Sequence, residues 1–561
     1  MSMSNSGDPA ASRAHAQGAA AHDHGSAFSV EAIQSLIVAF VLAMAFRSYV
    51  LEGFEIPTGS MAPTLMGAHI PIRSGVTGYT VPIDSGPVVD LLRMRGGPTP
   101  STEAPLVDPM IGPAYQIARE PLGSLAQQVR LGDRVLVIKS LYPFLGPQRF
   151  DVAVFKNPTD PFSDAQNYIK RVVGIPDETI LLLDGDVFAA PGADAPLDAL
   201  RVQRKPEFIQ RAVWQPVHDQ DWQPVDVARL ESELRRPWPG IPWTLTGLDT
   251  TDPRAWRSDG SVPVFLQWDL ARRQVDDWTA YNMLRDFQVR GEFARPYPVS
   301  DLRVAASVDV ASPRALRSAF ELTTRGHRFG FVVEEGRATI AMARDEDGAV
   351  VFEESVPLRL PRGASTVDLE FWHVDEMLSL WVNGRRVLER GYDWTVAERI
   401  RWSFSGLDVA SYSSRLAARA PSATPPRMQW RLDGSPLAMR RVRLDRDLYY
   451  RPGMLRDLEQ FATNGEPIRG PLFATDPLRP GRLGPSHFLM LGDNSAASRD
   501  GRAWGRPHPL VAERLEDDTP FVVHRKLLLG KALVVYFPAP QPITRGGRGL
   551  IPDFGKLRFI R

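Results

Sequence analysis

The feature that most constrains this chain is how often it turns. A proline or a glycine occurs about once in every six of its 561 residues, and both residue types interrupt helices and mark turns. The runs between them are short and rich in β-branched residues, as at 131–139 and 149–155. At 179–188 the pattern predicts a hairpin closed by Asp184-Gly185, a dipeptide typical of two-residue turns. The chain is therefore predicted to be mainly β rather than a helical bundle.

Length and composition narrow the class of protein further. A chain of 561 residues exceeds one ordinary domain, so two or more domains are expected. The 66 basic and 66 acidic residues balance, which gives no electrostatic footprint for nucleic acid. Cysteine is absent, which excludes disulfides, thiol catalysis and thiolate zinc sites. We predict no nucleic-acid partner, no cofactor and no metal.

One run, residues 33–46, is almost wholly apolar. The fifteen uncharged residues between Glu31 and Arg47 reach about 22 Å as a helix, short of the ~30 Å hydrocarbon core. Arg47 can snorkel, however, and residues 28–49 give about the needed span. No A-x-A-like cleavage site follows. A membrane helix, a buried helix and a cleaved signal sequence all remain open on these observations. Residues 1–27 are predicted to be a disordered tail.

A serine in a constrained turn is the first candidate for chemistry. In residues 57–65, Ser60 lies between Gly59 and two prolines, Pro57 and Pro63. Proline fixes φ and glycine permits unusual backbone angles. The stretch predicts a rigid turn that presents one hydroxyl, followed by a short helix that starts near Pro63.

Two later stretches supply what a nucleophilic serine needs. A serine hydroxyl requires a base, and a lysine whose pKa is lowered by burial can serve as one. Residues 167–176 (NYIKRVVGIP) place Lys170 in an apolar, β-prone segment. Residues 491–505 (LGDNSAASRDGRAWG) form a glycine-bounded loop of small and charged residues. Such a loop is suited to supporting a site through hydrogen bonds.

Together the three stretches resemble the motifs of bacterial type I signal peptidase, a Ser/Lys membrane protease. Its nucleophile motif matches residues 57–65, its lysine motif matches 168–176, and its late motif aligns without gaps over 492–505. Gly501 stands where the family usually has serine, and Ser495-Ala496-Ala497 replaces a more polar triplet. The resemblance covers roughly residues 30–66, 131–188 and 445–561.

The resemblance implies a role for each matching residue. Ser60 would be the nucleophile and Lys170 the general base, and the Thr58 hydroxyl would join the Ser60 N–H in the oxyanion hole. Ser498 would hydrogen-bond and aim the Lys170 amine, while Asp500 and Arg502 would be structural. Shallow apolar pockets for the small residues at −1 and −3 of a signal peptide would be lined by Phe54, Ile56, Met61, Leu65, Tyr168 and Ile169.

The resemblance also implies a location and an activity. Residues 28–50 would be a single transmembrane anchor in the cytoplasmic (inner) membrane, with the catalytic domain on the periplasmic side and the lipid bilayer as a partner. The predicted function is that of a membrane-anchored serine endopeptidase, which removes N-terminal signal peptides from exported preproteins.

The catalytic pattern is interrupted by a long insertion. We predict a catalytic domain of antiparallel β-structure in two parts, 51–188 and 443–561, with an irregular insertion at 67–130. Residues 189–442 would form a β-sandwich, because short alternating strands recur there and Asn383-Gly384 marks a hairpin turn. The pattern at 370–384 resembles the last hairpin of concanavalin-like jelly rolls. The inserted domain is either a glycan- or protein-binding module, or an architectural insert whose tryptophans are core.

Two other functions compete with signal-peptide cleavage. A Ser/Lys hydrolase of the self-cleaving repressor type shares the dyad, but it lacks the anchor and the late motif over 493–504. An envelope glycan-binding protein with a degenerate protease part is the second, and intact Ser60, Lys170 and Ser498 argue against degeneracy.

Overall fold

The computed structural model describes residues 24–94, 103–160, 167–234, 237–288, 296–418, 422–455, 470–540 and 551–560. Most of the predicted tail, residues 1–23, lies outside these ranges. The chain divides into two compact units, Met1–Glu52 and Gly53–Arg561. In the first unit a single helix, α1 (His24–Tyr49), covers the segment predicted as an anchor.

The apolar side chains of helix α1 are exposed. Nine of them, from Val30 to Met44, are between 44% and 70% exposed. Taking each helix over its described residues, none combines the length and the apolarity that a bilayer crossing requires. The structure therefore agrees with the helical conformation predicted for residues 28–50. The membrane anchor stays a prediction.

The second unit is built mainly of strands, as predicted. Its helices are short: α2 (Gly86–Met94), α3 (Leu122–Ala126), α4 (Leu141–Leu145), α5 (Glu207–Val213), α6 (Val227–Glu233), α7 (Met283–Gln288), α8 (Val396–Ser403), α9 (Val409–Ala417) and α10 (Pro509–Leu515).

The strands follow the chain in three groups. The first group is β1 (Leu51–Glu55), β2 (His69–Arg73), β3 (Thr80–Asp84), β4 (Glu103–Val107), β5 (Gln116–Pro121), β6 (Arg134–Ile138), β7 (Val152–Lys156), β8 (Asn167–Gly174), β9 (Glu178–Leu183), β10 (Asp186–Pro191) and β11 (Arg201–Val202). The second is β12 (Gln215–Asp219), β13 (Trp243–Thr246), β14 (Trp256–Ser258), β15 (Val264–Trp268), β16 (Leu302–Val310), β17 (Arg317–Thr324), β18 (His327–Glu334), β19 (Gly336–Arg344), β20 (Val350–Leu358), β21 (Ser365–Val374), β22 (Met377–Val382), β23 (Arg385–Gly391), β24 (Arg427–Asp433) and β25 (Leu437–Arg446). The third is β26 (Met454–Leu455), β27 (Gly470–Pro471), β28 (Gly481–Leu483), β29 (His487–Leu491), β30 (Val523–His524), β31 (Leu528–Phe537) and β32 (Arg558–Phe559).

An eight-stranded sheet joins the two ends of the chain. Its order is β1-β6-β31-β7-β8-β29-β30, and β32 pairs with β31. Strand β8 lies between β7 and β29, with Lys170 opposite Ala153 and Arg171 opposite Leu491. Strand β29 therefore delivers the late loop directly beside the strand that carries Lys170.

The stretch 67–130, for which irregular structure was predicted, is largely regular. It forms two hairpins, β2–β3 and β4–β5, and two helices, α2 and α3. Their apolar side chains share a core with Met283 and Leu284 of α7. The sequence did not indicate these strands because Pro71, Pro82 and Pro105 interrupt their alternating pattern. Proline is nevertheless tolerated in two-stranded sheets of this kind, whose strands are all edge strands.

The insertion contains the predicted β-sandwich. One seven-stranded sheet has the order β12-β25-β16-β21-β22-β23 with β14 beside β25, and the other has the order β13-β15-β24-β17-β18-β19-β20. Side chains of both sheets share one core, which includes Trp243, Trp256, Phe331 and Trp430. Strand β25 runs on to Arg446, so the sandwich extends four residues past the predicted border at 442. Its membership of the jelly-roll class stays a prediction.

The tryptophans of the insertion are mostly core residues. Trp256, Trp268, Trp372 and Trp381 are at most 4% exposed, whereas Trp222 is 37% exposed. Burial of this kind favours the architectural interpretation over an aromatic binding platform. A glycan or protein ligand of the sandwich stays a prediction.

A buried ion network joins the Asp184-Gly185 turn to the sandwich. The turn has the left-handed angles expected of its sequence, φ +52° and +90°. Asp184 accepts hydrogen bonds from Arg325 Nε at 2.9 Å and Arg399 Nε at 3.0 Å. Arg399 Nη2 donates to Asp186 at 2.5 Å, and Arg325 Nη1 donates to Asp301 at 2.8 Å. All five side chains are buried.

Candidate active site

The nucleophile candidate Ser60 lies in a tight turn. Residues Gly59–Met61 form a single 3-10 turn, closed by a hydrogen bond from Ala62 N–H to Gly59 O at 3.0 Å. Ala62 is extended (φ −67°, ψ 144°), as residues before proline generally are. The helix predicted to begin near Pro63 is therefore absent, and the turn at Gly59 takes its place. Ser60 is half-buried.

Lys170 reaches Ser60 from strand β8. Its side chain is buried, with 4% of its surface exposed, and Nζ donates a hydrogen bond to Ser60 Oγ. Burial lowers the pKa of the Lys170 amine to about 8, although the negative charges of Asp500 and Asp493 oppose that shift. Nζ also lies 5.6 Å from the centroid of the Tyr168 ring. The structure thus brings these two residues, 110 positions apart, into contact.

An ion pair connects the three motifs beneath the dyad. Arg171 donates to both carboxylate oxygens of Asp493, at 2.8 and 2.6 Å, and neither side chain is exposed. Thr64 Oγ1, four residues after Ser60, donates to the same carboxylate. The arrangement holds the nucleophile segment, strand β8 and the late loop in register. It agrees with a structural role for Arg171.

A second buried pair shapes the late loop. Arg502 donates to both oxygens of Asp500, at 2.9 and 2.8 Å. It also donates to Ser495 Oγ at 2.7 Å, Ser495 O at 3.0 Å and Arg451 O at 3.0 Å. Burial disfavours the Asp500 carboxylate, but the charge and hydrogen bonds of Arg502 hold its pKa below the ordinary value. Gly492 N–H donates to the same carboxylate at 3.1 Å. These contacts agree with the structural roles expected of Asp500 and Arg502.

The late loop departs from the expected pattern at two positions. Ser498 Oγ is buried and makes no hydrogen bond within the described residues, so the predicted bond to the Lys170 amine is not formed. At Gly501, a Cβ would lie 2.6 Å from Leu489 Cδ1 and 2.9 Å from Phe521 O. The serine usual in the family would clash there, which accounts for the glycine.

The predicted substrate-binding residues lie mainly in the core. Met61 and Leu65 have no exposed surface, Ile56 is 2% and Ile169 9% exposed, and only Phe54 and Tyr168 are half-buried. Side chains without exposed surface do not contact a substrate in this arrangement. Two cavities of about 20 and 100 Å³ border the nucleophile turn at Ala62 and Pro63, and none of the six residues lines either one.

Thr58 lies at the entrance to the turn. It precedes Gly59 in an extended conformation (φ −124°, ψ 156°) and is exposed. An exposed threonine two residues before the nucleophile can approach a substrate carbonyl, as the oxyanion role requires.

Sequence reasoning missed three residues that hold the turn. Asn494 N–H donates to Ser60 O at 3.1 Å, and Asn494 Nδ2 donates to Gly59 O at 3.1 Å. Asn282, from the insertion, pairs with the Asn494 amide, and a Cβ at Gly59 would lie 2.2 Å from the Tyr281 ring. Asn494 belongs to the late motif and could have been singled out there. Nothing in the surrounding sequence marks Tyr281 or Asn282.

One group of carboxylates has the spacing of a metal site. Asp186, Asp375 and Asp447 each bring an oxygen within 4.8 Å of the others, and all three are buried. Lys205 Nζ lies 2.6 Å from Asp375 Oδ1 and 2.8 Å from Asp447 Oδ2. The lysine ammonium supplies the positive charge there, so this group is an ion-pair network.

Comparison with known proteins finds similarity over part of the chain. Residues 111–219 match the family model described as "Signal peptidase, peptidase S26". Signal peptidase I of Pseudomonas aeruginosa is 40% identical over 72 residues, which cover 11% of this chain and 24% of that protein. The enzyme of Leptolyngbya laminosa is 31% identical over 93 residues, 16% of this chain and 44% of the relative. The chain thus spans a quarter to less than half of these relatives.

Solved structures give a much weaker likeness. Sheep galectin-11 aligns with 27% of this chain and 98% of its own, at 13% identity and a TM-score of 0.17. Carbohydrate binding module CBM66 from Bacillus subtilis aligns with 36% of this chain and 95% of its own, at 12% identity and a TM-score of 0.20. Scores this low carry no inference about this chain.

Proposed function

We propose that this chain, which belongs to the signal peptidase (peptidase S26) family, is a serine endopeptidase that removes N-terminal signal peptides from exported preproteins. The observation that carries the proposal is the contact between Lys170 Nζ and Ser60 Oγ. Within the described residues the buried amine has no carboxylate partner, so burial favours its neutral form. A neutral amine beside a serine hydroxyl is the arrangement that a Ser/Lys nucleophile needs.

The proposed reaction is acyl transfer through Ser60. Neutral Lys170 takes the proton of Ser60 Oγ as that oxygen attacks the scissile carbonyl, and a tetrahedral intermediate forms. Lys170 then returns the proton to the leaving amine, which releases the mature protein and leaves an acyl-enzyme. Lys170 then takes a proton from water, which attacks the ester, and returns that proton to Ser60 Oγ as the C–O bond breaks, so that the signal peptide is freed as a carboxylic acid and the serine is restored. The Ser60 N–H and the Thr58 hydroxyl stabilise the oxyanion in both steps.

Preference for small residues at −1 and −3 of the signal peptide is part of the proposal and follows from the family resemblance. Phe54 and Tyr168, which keep some exposed surface, are the residues best suited to contact the substrate near Ser60. The more deeply buried members of the predicted set share a core with Phe54 and would act by packing beneath it.

We further propose that α1 attaches the chain to the cytoplasmic membrane, with the catalytic part on the extracytoplasmic side. Consecutive apolar residues, such as Leu36, Ile37 and Val38, point to all sides of a helix, and each is more than half exposed. A helix that is apolar all round requires an apolar environment. Carbonate extraction of membranes tests the attachment: the full chain should remain in the pellet, and a variant that lacks residues 1–49 should be released.

The peptidase activity can be tested with purified full-length protein and a preprotein that carries an A-x-A signal sequence. Wild type should release the mature N-terminus, identified by sequencing, whereas Ser60→Ala and Lys170→Ala should both be inactive. Lys526→Ala, which removes an exposed lysine, is the matched control and should be fully active. Cleavage at wild-type rate by Ser60→Ala or Lys170→Ala would refute the dyad.

A substrate series tests the specificity. Replacement of the −1 alanine of the preprotein by tyrosine should abolish cleavage, while replacement at +2 should be tolerated. Equal cleavage of the tyrosine substrate would contradict the proposed preference for small residues.

A further inference from the structure

We propose that Asn282, supplied by the insertion, positions the backbone N–H of Ser60 for oxyanion stabilisation and does so through Asn494. The inference rests on the proposed peptidase function and deepens it. It assigns a residue of the inserted segment to the alignment of the site, as a positioning residue that does not touch the reacting atoms.

The two asparagines form a reciprocal amide pair. Asn282 Nδ2 donates to Asn494 Oδ1 at 2.7 Å, and Asn494 Nδ2 donates to Asn282 Oδ1 at 2.9 Å. Both side chains are buried, at 3% and 4% exposure. Such a pair fixes which end of each amide is oxygen and which is nitrogen, because a single flip would set oxygen against oxygen and nitrogen against nitrogen. Asn282 therefore determines the orientation of the Asn494 amide.

The orientation of Asn494 determines that of the peptide between Gly59 and Ser60. The second hydrogen of Asn494 Nδ2 is donated to Gly59 O at 3.1 Å, and Asn494 N–H is donated to Ser60 O at 3.1 Å. In a planar trans peptide the C=O of one residue and the N–H of the next point in opposite directions. Holding the Gly59 carbonyl thus aims the Ser60 N–H, the proposed oxyanion donor, to the other side of the turn.

The Tyr281 ring restricts rotation of the Gly59–Ser60 peptide from the other side. It covers Gly59 so closely that a Cβ there would lie 2.2 Å from Cε1. The segment that carries both residues is itself anchored, because Ala280, Met283 and Leu284 share a core with Ile83 and the other apolar residues of the 67–130 region. The insertion thus provides a rigid mount for the amide pair.

Loss of this alignment should affect the transition state more than substrate binding. Removing an oxyanion donor outright lowers kcat by about 10²–10³, so we expect a tenfold to hundredfold fall in kcat for Asn282→Ala, with KM unchanged. The acid limb of the pH profile, which reports on Lys170, should not move. Asn282→Asp keeps the shape of the side chain but sets an oxygen against Asn494 Oδ1, so it should lower kcat at least as much.

The experiment measures kcat, KM and the pH profile of the full-length wild type, Asn282→Ala, Asn282→Asp, Asn494→Ala and the double variant Asn282→Ala/Asn494→Ala. If Asn282 acts through Asn494, the double variant should be no slower than Asn494→Ala. Gln429→Ala, which removes an exposed amide of strand β24, is the matched control and should leave kcat unchanged. A thermal melt of each variant verifies that it is folded, and the isosteric Asn282→Asp keeps the test valid if Asn282→Ala is not.

The outcomes separate the two proposals. Wild-type kcat in Asn282→Asp, a change confined to KM, or full additivity in the double variant would overturn the role of Asn282 while leaving the peptidase function intact. A wild-type protein that cleaves no preprotein would overturn both. A fall in kcat with KM and the pH profile unchanged, together with the absence of additivity, supports the inference.

Discussion

The acid limb of the pH–rate profile is the sharpest prediction from this structure. Only a neutral amine accepts the proton of Ser60, so kcat/KM should fall as the pH drops through the pKa of Lys170. Burial lowers that pKa to about 8 from 10.5. At pH 7 about one amine in ten is then neutral, compared with about one in 3,000 for an unshifted lysine. Burial therefore raises the active fraction about 300-fold at pH 7.

The expected profile has a distinct shape. Between pH 6 and pH 7, kcat/KM should rise about tenfold, reach half its maximum near pH 8 and level off above pH 9. The assay follows cleavage of a peptide that spans a signal-peptidase site, with substrate well below KM. Enzyme held at each pH and then assayed at pH 8 serves as the control for denaturation.

Two results would refute the reasoning. A rate that is flat from pH 6 to pH 8 would mean that no amine of pKa about 8 acts as the base, and an inflection above pH 10 would mean that Lys170 is not desolvated. The sign of one variant gives a further check. Because Asp500 raises the pKa of Lys170, Asp500→Asn should move the inflection of the pH–rate profile to lower pH. The measurement uses the folded variant protein.

Three further predictions follow from the same contacts. The folded state lowers the pKa of Lys170 and so disfavours its ammonium form. Lys170→Met should therefore raise the free energy of unfolding, measured by urea titration, by up to about 3 kcal/mol at pH 7. This gain should vanish above pH 10.5, where the lysine is neutral in both the folded and the unfolded state. Thr58→Val should lower kcat by about 10²-fold without changing KM, and an unchanged kcat would exclude the Thr58 hydroxyl from the oxyanion hole. Asp493→Asn should destabilise the fold by about 3–5 kcal/mol because it removes the negative charge that faces the buried Arg171 cation; a melting temperature equal to that of wild type would contradict this.

The parts that could be predicted from sequence are those with local signals. The turns at Asp184-Gly185 and Asn383-Gly384 have the left-handed angles that their dipeptides demand. The pairing of Ser60 with Lys170 depended on motif resemblance, because 110 residues separate them and no local pattern predicts the contact. Strands in 67–130 were missed since their prolines obscure alternation.

The burial of Met61 and Leu65, and the pairing of Asn282 with Asn494, could not be foreseen for a different reason. Both depend on how distant segments pack, and neither pattern is encoded within a few residues of the site. A resemblance confined to the peptidase segments carries no information about what a 250-residue insertion places beside them.

The ion network at the Asp184-Gly185 turn has a practical consequence for anyone who shortens this protein. Excision of the sandwich would strip Asp184 and Asp186 of Arg325 and Arg399, and the two orphaned carboxylates would then repel each other at the tip of a β-hairpin. A minimal peptidase would have to replace both acids with neutral residues, for instance Asp184→Asn together with Asp186→Thr. Without these replacements, the collapse of a trimmed protein would say nothing about whether the sandwich matters for cleavage.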